Sequence, residues 1–323
     1  MSIPIHLDPG KRHDFVFLFD VTNGNPNGDP DAGNLPRVDP ETMHGLVTDV
    51  AIKRKVRDWV DMTRGTEPGY AIYVQNSGVA LNTKHQRAYD TLGLRSTGSK
   101  QKREDVERAR EWMCQTFYDI RTFGAVMTTG VNCGQVRGPL QLTFARSVDP
   151  ITLLDVSITR VAVTEQKAVD VTEGEDGKMA GKRTEMGRKM IVPYGLYVGQ
   201  GFYTPHFARQ AGFGTDDLAL FWQALQSAWD MDRSASRGML ALRGLYIFSH
   251  DSPLGNAPAH HLLERIQPRR KAGVDVPRRY QDYDVLVEDA ALPAGVTLTR
   301  LSVEEPVEVV PVAGASSRGQ AGS

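Results

Sequence analysis

Residues 14–63 constrain this chain more than any other stretch. Phe15-Val16-Phe17-Leu18-Phe19 is a short aromatic and β-branched apolar run, the pattern of a buried strand. Asp20 to Gly33 (DVTNGNPNGDPDAG) follows, so dense in Asn, Gly, Pro and Asp that neither helix nor ladder is expected to continue through it. From His44 to Thr63 a helical period returns. Ile52, Val56, Trp59, Val60 and Thr63 lie along one side, with Lys53, Arg54 and Arg57 around the other. Strand, tight polar loop and basic amphipathic helix open a βα unit that presents backbone amides and cations together.

Downstream, TRGTEPGY (63–70) is a turn-rich break and Ala71–Gln75 suits a short strand. Residues 76–101 are polar and irregular, an insertion on the core rather than part of it. A long helix is expected from about Lys102 to Phe123, with Val106, Ala109, Met113, Phe117 and Ile120 on one side. After the Gly-punctuated loop 128–139 come strands Leu140–Arg146 and Asp155–Thr164, joined through Pro150. Residues 165–189 break every pattern, and Ile191–Tyr203 returns to strand. Thr215-Asp216-Asp217 caps a helix striped by Leu218, Phe221, Trp222, Leu225 and Trp229. Arg243–Phe248 is the last core strand, residues 249–281 are polar and basic, and Tyr283–Val287 suits an edge strand. From Glu304 the composition predicts disorder. Stripped of insertions the order is β-α-β-β-α-β, the α+β plan of ferredoxin-like and RNA-recognition folds. The pattern does not by itself order the sheet.

Charge narrows the function. There are 38 Lys and Arg against 39 Asp and Glu, a net charge of −1, so no global field draws in a polyanion. A nucleic acid would have to meet cations sorted locally into a groove. The 323 residues suffice for one elaborated domain or two modest ones. Cys114 and Cys133 are too few for a structural zinc site and read as reduced thiols. MSIPIHLDPGKRHD has no signal-like apolar core, and no run approaches the ~18 apolar residues of a membrane span. A soluble cytoplasmic chain with no membrane partner and no cofactor is expected. Walker, dinucleotide-binding and Ser-His-Asp signatures are missing from the sequence.

Four segments are long enough to carry a resemblance: FVFLFDVTNGNPNGDPDAGNLPRVDPETMHGLVTDVAIKRKVRDWV from Phe15, DIRTFGAVM at 119–127, GPLQLTFARSVDPI at 138–151, and VPYGLYVGQGFYTPHFA at 192–208. Through them, over roughly Asp14 to Asp289, the chain resembles the Cas-seven-type backbone subunit of type I-C CRISPR effector (Cascade) complexes. The resemblance implies a ferredoxin-like palm of the RNA-recognition type with inserted finger, helical and thumb elements. On that plan 1–13 is a leader, 14–64 the first half of the palm, and 65–137 the finger and helical insert. Residues 138–290 complete the palm, with a thumb at 165–189, and 291–323 form a mostly disordered tail. The implied role is a non-catalytic subunit that oligomerises along CRISPR guide RNA and holds it for pairing with target DNA. Implied partners are copies of itself, a Cas-five-type subunit that processes and caps the guide, and a large subunit that reads flanking DNA.

Each candidate site has a plainer alternative. Asn23–Gly28 echoes an EF-hand, but the first position is not Asp, the twelfth is Asn34, and a strand precedes it. That leaves an ordinary turn or a phosphate-cradling loop. The resemblance favours the second, since the family's loop lies beside guide RNA, and nominates Asn23, Asn27, Gly28 and His44. Lys53, Arg54 and Arg57 read either as a solvated face or as phosphate contacts that position a strand without reading its sequence. Asp49 and Asp58 are not expected to neutralise them. Lys84 and Arg137 are weaker versions of the same reading. Lys182, Arg183, Arg188 and Lys189, in the basic half of 165–189, suit a projecting arm that meets RNA or a neighbouring subunit, against plain disorder.

A rival function, metal-dependent endoribonuclease, would use Asp20, Asp29 and Asp31. Related type III backbone proteins cleave RNA with one loop aspartate, whereas type I relatives leave cutting to a separate nuclease. An Asp-Pro-Asp in a turn is usually turn chemistry. His250, Asp251, His260, His261 and Glu264 define no ligand geometry and read as the start of a surface helix after Ala257-Pro258. Tyr197, Phe202, Tyr203 and Tyr246 read as core rather than base-stacking residues.

Overall fold

The computed structural model describes residues 3–75, 78–97, 100–160, 172–173, 179–180 and 185–301. Strand β1 (His13–Gly24) is followed by the short β2 (Gly28–Asp29) and β3 (Leu35–Pro36), then β4 (His44–Val47) and helix α1 (Asp49–Arg64). Next come α2 (Leu81–Leu92), α3 (Arg103–Thr116), α4 (Tyr118–Phe123) and the strands β5 (Gly124–Val126) and β6 (Gln135–Arg137). β7 (Leu140–Leu142), β8 (Ala145–Pro150) and β9 (Leu154–Arg160) precede the two-residue β10 (Thr172–Glu173) and β11 (Met179–Ala180) and the long β12 (Glu185–Tyr203). The described chain closes with α5 (Pro205–Ala211), α6 (Thr215–Met231), β13 (Met239–His250), α7 (Ala259–Leu263), β14 (Ile266–Arg270), β15 (Tyr283–Val287) and β16 (Val296–Leu301).

β1 is the axis of a mixed α/β architecture built on a central antiparallel sheet. The sheet runs β16-β13-β1-β12-β8-β4, with β1 hydrogen-bonded along its length to β12 and β13. Phe15, Phe17, Phe19 and Val21 enter a core shared with Ile52, Val56 and Val60 of α1 and Leu218, Phe221, Trp222 and Trp229 of α6. Val16 and Leu18 point the other way, into a second cluster with Phe248, Leu262, Ile266 and Tyr283. Both faces of β1 are therefore covered, which is why its apolar run has no polar alternation. Each large side chain so buried contributes about 1.5–3 kcal/mol. Helices α2, α3 and α4 pack a third cluster around Tyr73, Tyr89, Met113, Phe117 and Cys133.

The glycines of β12 have a packing reason. Gly199 and Gly201 stand opposite Phe17 and Phe15, and a Cβ at either would lie 2.1 Å from the facing ring's Cζ. The phenylalanines of one strand lie over the bare backbone of the next.

Tertiary context overrides the sequence reading in several places. The β1 ladder continues to Gly24, inside the segment expected to break it, because Val192 of β12 pairs there. His44–Val47 is not the first helical turn but a strand on β8, and the helix starts where Thr48 Oγ1 accepts the Ala51 amide. Part of the stretch read as irregular, 76–101, forms α2. The long helix expected over 102–123 breaks at Phe117, whose backbone is extended (φ −112°, ψ 114°). Leu140–Arg146 is divided between β7 and β8. Tyr283–Val287 pairs with β14 instead of the central sheet, whose edge is taken by β16, a strand assigned from sequence to the tail. The leader is tied down, since Trp222 Nε1 donates to the His6 carbonyl at 3.0 Å and Tyr203 Oη to that of Pro9 at 2.9 Å. The tail from Glu304 lies outside the described residues. Among the described residues no helix is long and apolar enough to cross a membrane.

Candidate nucleic-acid interface

Two of the expected contributors, the Asn23–Gly28 loop and the described root of the arm, meet at one end of the sheet. Beyond Val192, β12 runs on as a ladder with β9, from Ile191 opposite Leu154 to Glu185 opposite Arg160. This two-stranded ribbon is the root of the segment read from sequence as a projecting arm. It carries Arg188, 79 % exposed and 3.6 Å from Asp155, and Lys189, whose Nζ donates to the Ala235 carbonyl at 3.2 Å. Lys182 and Arg183 lie outside the described residues. Gly24 pairs with Val192, so the loop abuts the arm's root. Beside both, a cleft of about 560 Å³ opens between the β8–β9 connection, β12 and residues 276–278. Asn23, Leu154, Tyr194, Tyr283 and Arg278 are among its walls. Apolar and aromatic walls of this size, with Arg278 and Asp149 also in the lining, suit a nucleobase.

The loop itself corrects the phosphate-cradle expectation. The Asn25 amide donates to the Ser236 carbonyl at 2.8 Å, and the Asn27 amide to Asn25 Oδ1 at 3.1 Å. Both donors are spent inside the protein. Asn27 Oδ1 accepts the Thr48 amide at 2.9 Å, fixing the entry to α1. Gly28 is pressed on Asn34, where a Cβ would lie 1.9 Å from Oδ1. Asn23 alone of the three is exposed, at φ 50°. His44 is half-buried on β4, and its Nδ1 is sealed from solvent without a hydrogen-bond partner among the described residues.

What holds the loop is a segment the sequence reading passed over. Arg237 Nη1 donates to the Pro26 carbonyl at 2.9 Å and approaches that of Asn25 at 3.5 Å, while Arg237 Nε lies 3.5 Å from Asp232. Asp232 also takes the buried ammonium of Lys55 on α1. Burial works to raise the Asp232 carboxyl, but the Lys55 and Arg237 cations outweigh it and hold the group below its ordinary range. Residues 232–238 (DRSASRG) show no period, and only two arginines among small polar residues mark them in the sequence.

The three α1 cations are not one exposed cluster, as the sequence suggested. Lys53 pairs with Asp49 at 2.8 Å, and Arg54 lies 3.5 Å from Asp58 while remaining 61 % exposed. Arg57 is buried and donates to Asp119. Lys84 caps the carbonyls of Ile72 and Tyr73 at 2.9 and 2.8 Å. Arg137 is exposed, 4.3 Å from the Phe207 ring centroid. Tyr197 and Tyr203 are fully buried, and Phe202 and Tyr246 pack partly buried on the second cluster.

Of the three aspartates of the rival reading, Asp20 and Asp29 have their carboxylates engaged, and Asp31 is exposed. Asp20 is 2 % exposed, accepts from Tyr194 Oη at 3.0 Å and lies 2.9 Å from Arg243. Burial pushes its carboxyl above the ordinary range against the pull of Arg243. Asp29 accepts the Asp31 amide at 3.2 Å and faces Arg37 at 3.4 Å. Among the described residues no group of three or more His, Cys, Asp or Glu side chains could hold a metal ion.

A family model described as CRISPR-associated protein Cas7 matches residues 11–288. A curated protein from Haloferax volcanii, named CRISPR-associated protein Cas7, is 32 % identical over 118 residues. That match covers 36 % of this chain and 33 % of the relative, so the chain spans about a third of that protein's length. Among solved structures, a chain of a CRISPR RNA-guided surveillance complex, pre-nicking, is 14 % identical with a TM-score of 0.47, covering 73 % of this chain and 78 % of that one. A chain of another CRISPR RNA-guided surveillance complex is 15 % identical with a TM-score of 0.41, covering 76 % and 73 %. These structural likenesses are loose and settle neither topology nor role.

Proposed function

The chain belongs to the CRISPR-associated Cas7 family, and from that premise we propose that it is the repeating guide-RNA-binding subunit of a type I-C effector complex. The family match across residues 11–288 carries this reading. Strands β13-β1-β12-β8 lie in the order four-one-three-two of a split βαβ, with α1 and α6 sharing one core, which supports a ferredoxin-like palm. The subunit is non-catalytic and cytoplasmic. It lines up with copies of itself along the guide, beside a Cas-five-type subunit and a large subunit, and holds the guide for pairing with target DNA. The guide's backbone passes over Asn23, the arm root and Arg278, with Arg54 and Arg137 as outlying cations.

Co-expression with a CRISPR array tests the reading. Purified complex should yield RNA of one repeat-spacer length, and partial nuclease digestion should give fragments at regular spacing. Preparations free of RNA, or RNA of random sequence and length, would end it.

A further inference from the structure

The seven residues Asp232–Gly238, between α6 and β13, touch α1, the Asn23–Gly28 loop and the arm root. Asp232 receives Lys55 of α1, and the Ser236 carbonyl accepts the Asn25 amide at 2.8 Å. Arg237 holds the Pro26 carbonyl at 2.9 Å, and the Ala235 carbonyl accepts Lys189 of the arm root at 3.2 Å. The backbones are also in close contact. A Cβ at Gly24 would lie 1.9 Å from the Arg237 carbonyl oxygen, and one at Gly238 2.5 Å from that of Asn23. Neither segment can shift without displacing the other.

We propose that this segment is a clamp that orders the Asn23–Gly28 loop and the arm root together, with Arg237 as its positioning residue. It acts on bound RNA through the loop backbone and the arm root, without touching RNA. The proposal rests on the guide-RNA reading above. The Arg237 fork joins a carboxylate to the loop's carbonyls at once, a geometry a lysine ammonium cannot reproduce. Because the loop and the arm root grip one short segment, ordering either by a ligand reduces the entropy left to lose at the other. Coupling of this kind is reciprocal.

Amide hydrogen exchange and titration with a fluorescent single-stranded RNA at several KCl concentrations test this on the full chain. The variants are Arg237→Ala and Arg237→Lys. Both should speed exchange at the Asn25 and Asn27 amides and at the arm root, leaving β1 amides protected as proof of folding. Both should weaken RNA binding about tenfold, the equivalent of one charge-assisted hydrogen bond. The slope of log affinity against log salt should not change. A slope shallower by about 0.7, with affinity kept in Arg237→Lys, would place Arg237 on a phosphate and overturn the proposal. So would faster exchange with undiminished affinity, since the clamp would then serve the fold alone. If the unaltered protein binds no RNA, the guide-RNA reading fails by itself. Exchange then decides the clamp, and an arm root left unchanged by Arg237→Ala refutes it.

Discussion

Arg57 Nε donates to Asp119 Oδ2 at 2.8 Å, and the pair bolts α1 to the helical insert instead of facing solvent. Asp119 also accepts the amides of Tyr73 and Val74 at 2.7 and 3.0 Å. Removing one member of a buried ion pair strands the other's charge. Arg57→Ala should therefore lower the free energy of unfolding by about 3–5 kcal/mol. Arg54→Ala, whose partner Asp58 is exposed, should lower it by less than about 1 kcal/mol. Urea denaturation curves of both variants check this, and equal effects would show that Arg57 is not a buried structural cation.

His13 makes the fold acid-sensitive. Its Nε2 lies 3.0 Å from the Asp8 carbonyl, which can only accept, so Nε2 carries the proton and Nδ1 accepts from Ser249 Oγ at 2.9 Å. Burial favours this neutral ring and pushes its pKa from 6.5 down to about 4. Between those values the unfolded chain binds the extra proton, so this contribution is full above pH 6.5 and is lost as pH falls toward 4. The loss amounts to about 3 kcal/mol at most. His13→Asn should flatten the pH dependence of the urea midpoint across that window; a profile unchanged from wild type would count against it.

Legibility in the sequence tracked how local the cause was. β1 and α6 could be read because an unbroken apolar run and a helical stripe are written in consecutive residues. Arg57 could not be, since its place on the helix is equivalent to that of Lys53 and Arg54 and its partner Asp119 is far along the chain. The Asn23–Gly28 loop is legible as a loop, but nothing in its own residues shows that its amides are occupied. Ser236 and Arg237, which occupy or constrain them, lie some two hundred residues on in a segment without periodicity. The same holds for β16, which takes its place by pairing with the distant β13 and packing Val296 and Leu298 on the second cluster.

Gly199 is held small by its neighbour. An alanine Cβ there meets the Phe17 ring at 2.1 Å, so Gly199→Ala should destabilise by about 1–3 kcal/mol. Gly187, where Ile158 would be met at an ordinary 3.4 Å, should accept alanine nearly without effect. Combining Gly199→Ala with Phe17→Leu should cost less than the sum of the two, because the ring that clashes is gone. Strict additivity in thermal melts would rule out the clash.

The loop aspartates make a separate forecast. Asp29→Ala and Asp31→Ala should leave the assembled complex, like the unaltered one, unable to cut a complementary RNA with magnesium or manganese. Metal-dependent cuts by the unaltered complex, lost in either variant, would replace the non-catalytic reading with the endoribonuclease one.

The arm separates folding from assembly. Seven ladder pairs, from Glu185 opposite Arg160 to Ile191 opposite Leu154, form its root. Exchanging residues 178–188 for a linker would cut into that ladder at Glu185–Arg188. Exchanging 161–184 keeps every pair of that ladder and, among the described residues, removes no member of the three apolar clusters. A short Gly-Ser connection across Arg160 and Glu185 should therefore leave the thermal midpoint of the isolated chain within a few degrees of wild type. If the arm bridges copies along the guide, the same variant should run as a monomer or small oligomer by light scattering. It should also lose the regular nuclease-protection pattern on guide RNA. A variant that folds, assembles and protects RNA at the original spacing would show that 161–184 is a dispensable loop and that contacts between copies are made elsewhere.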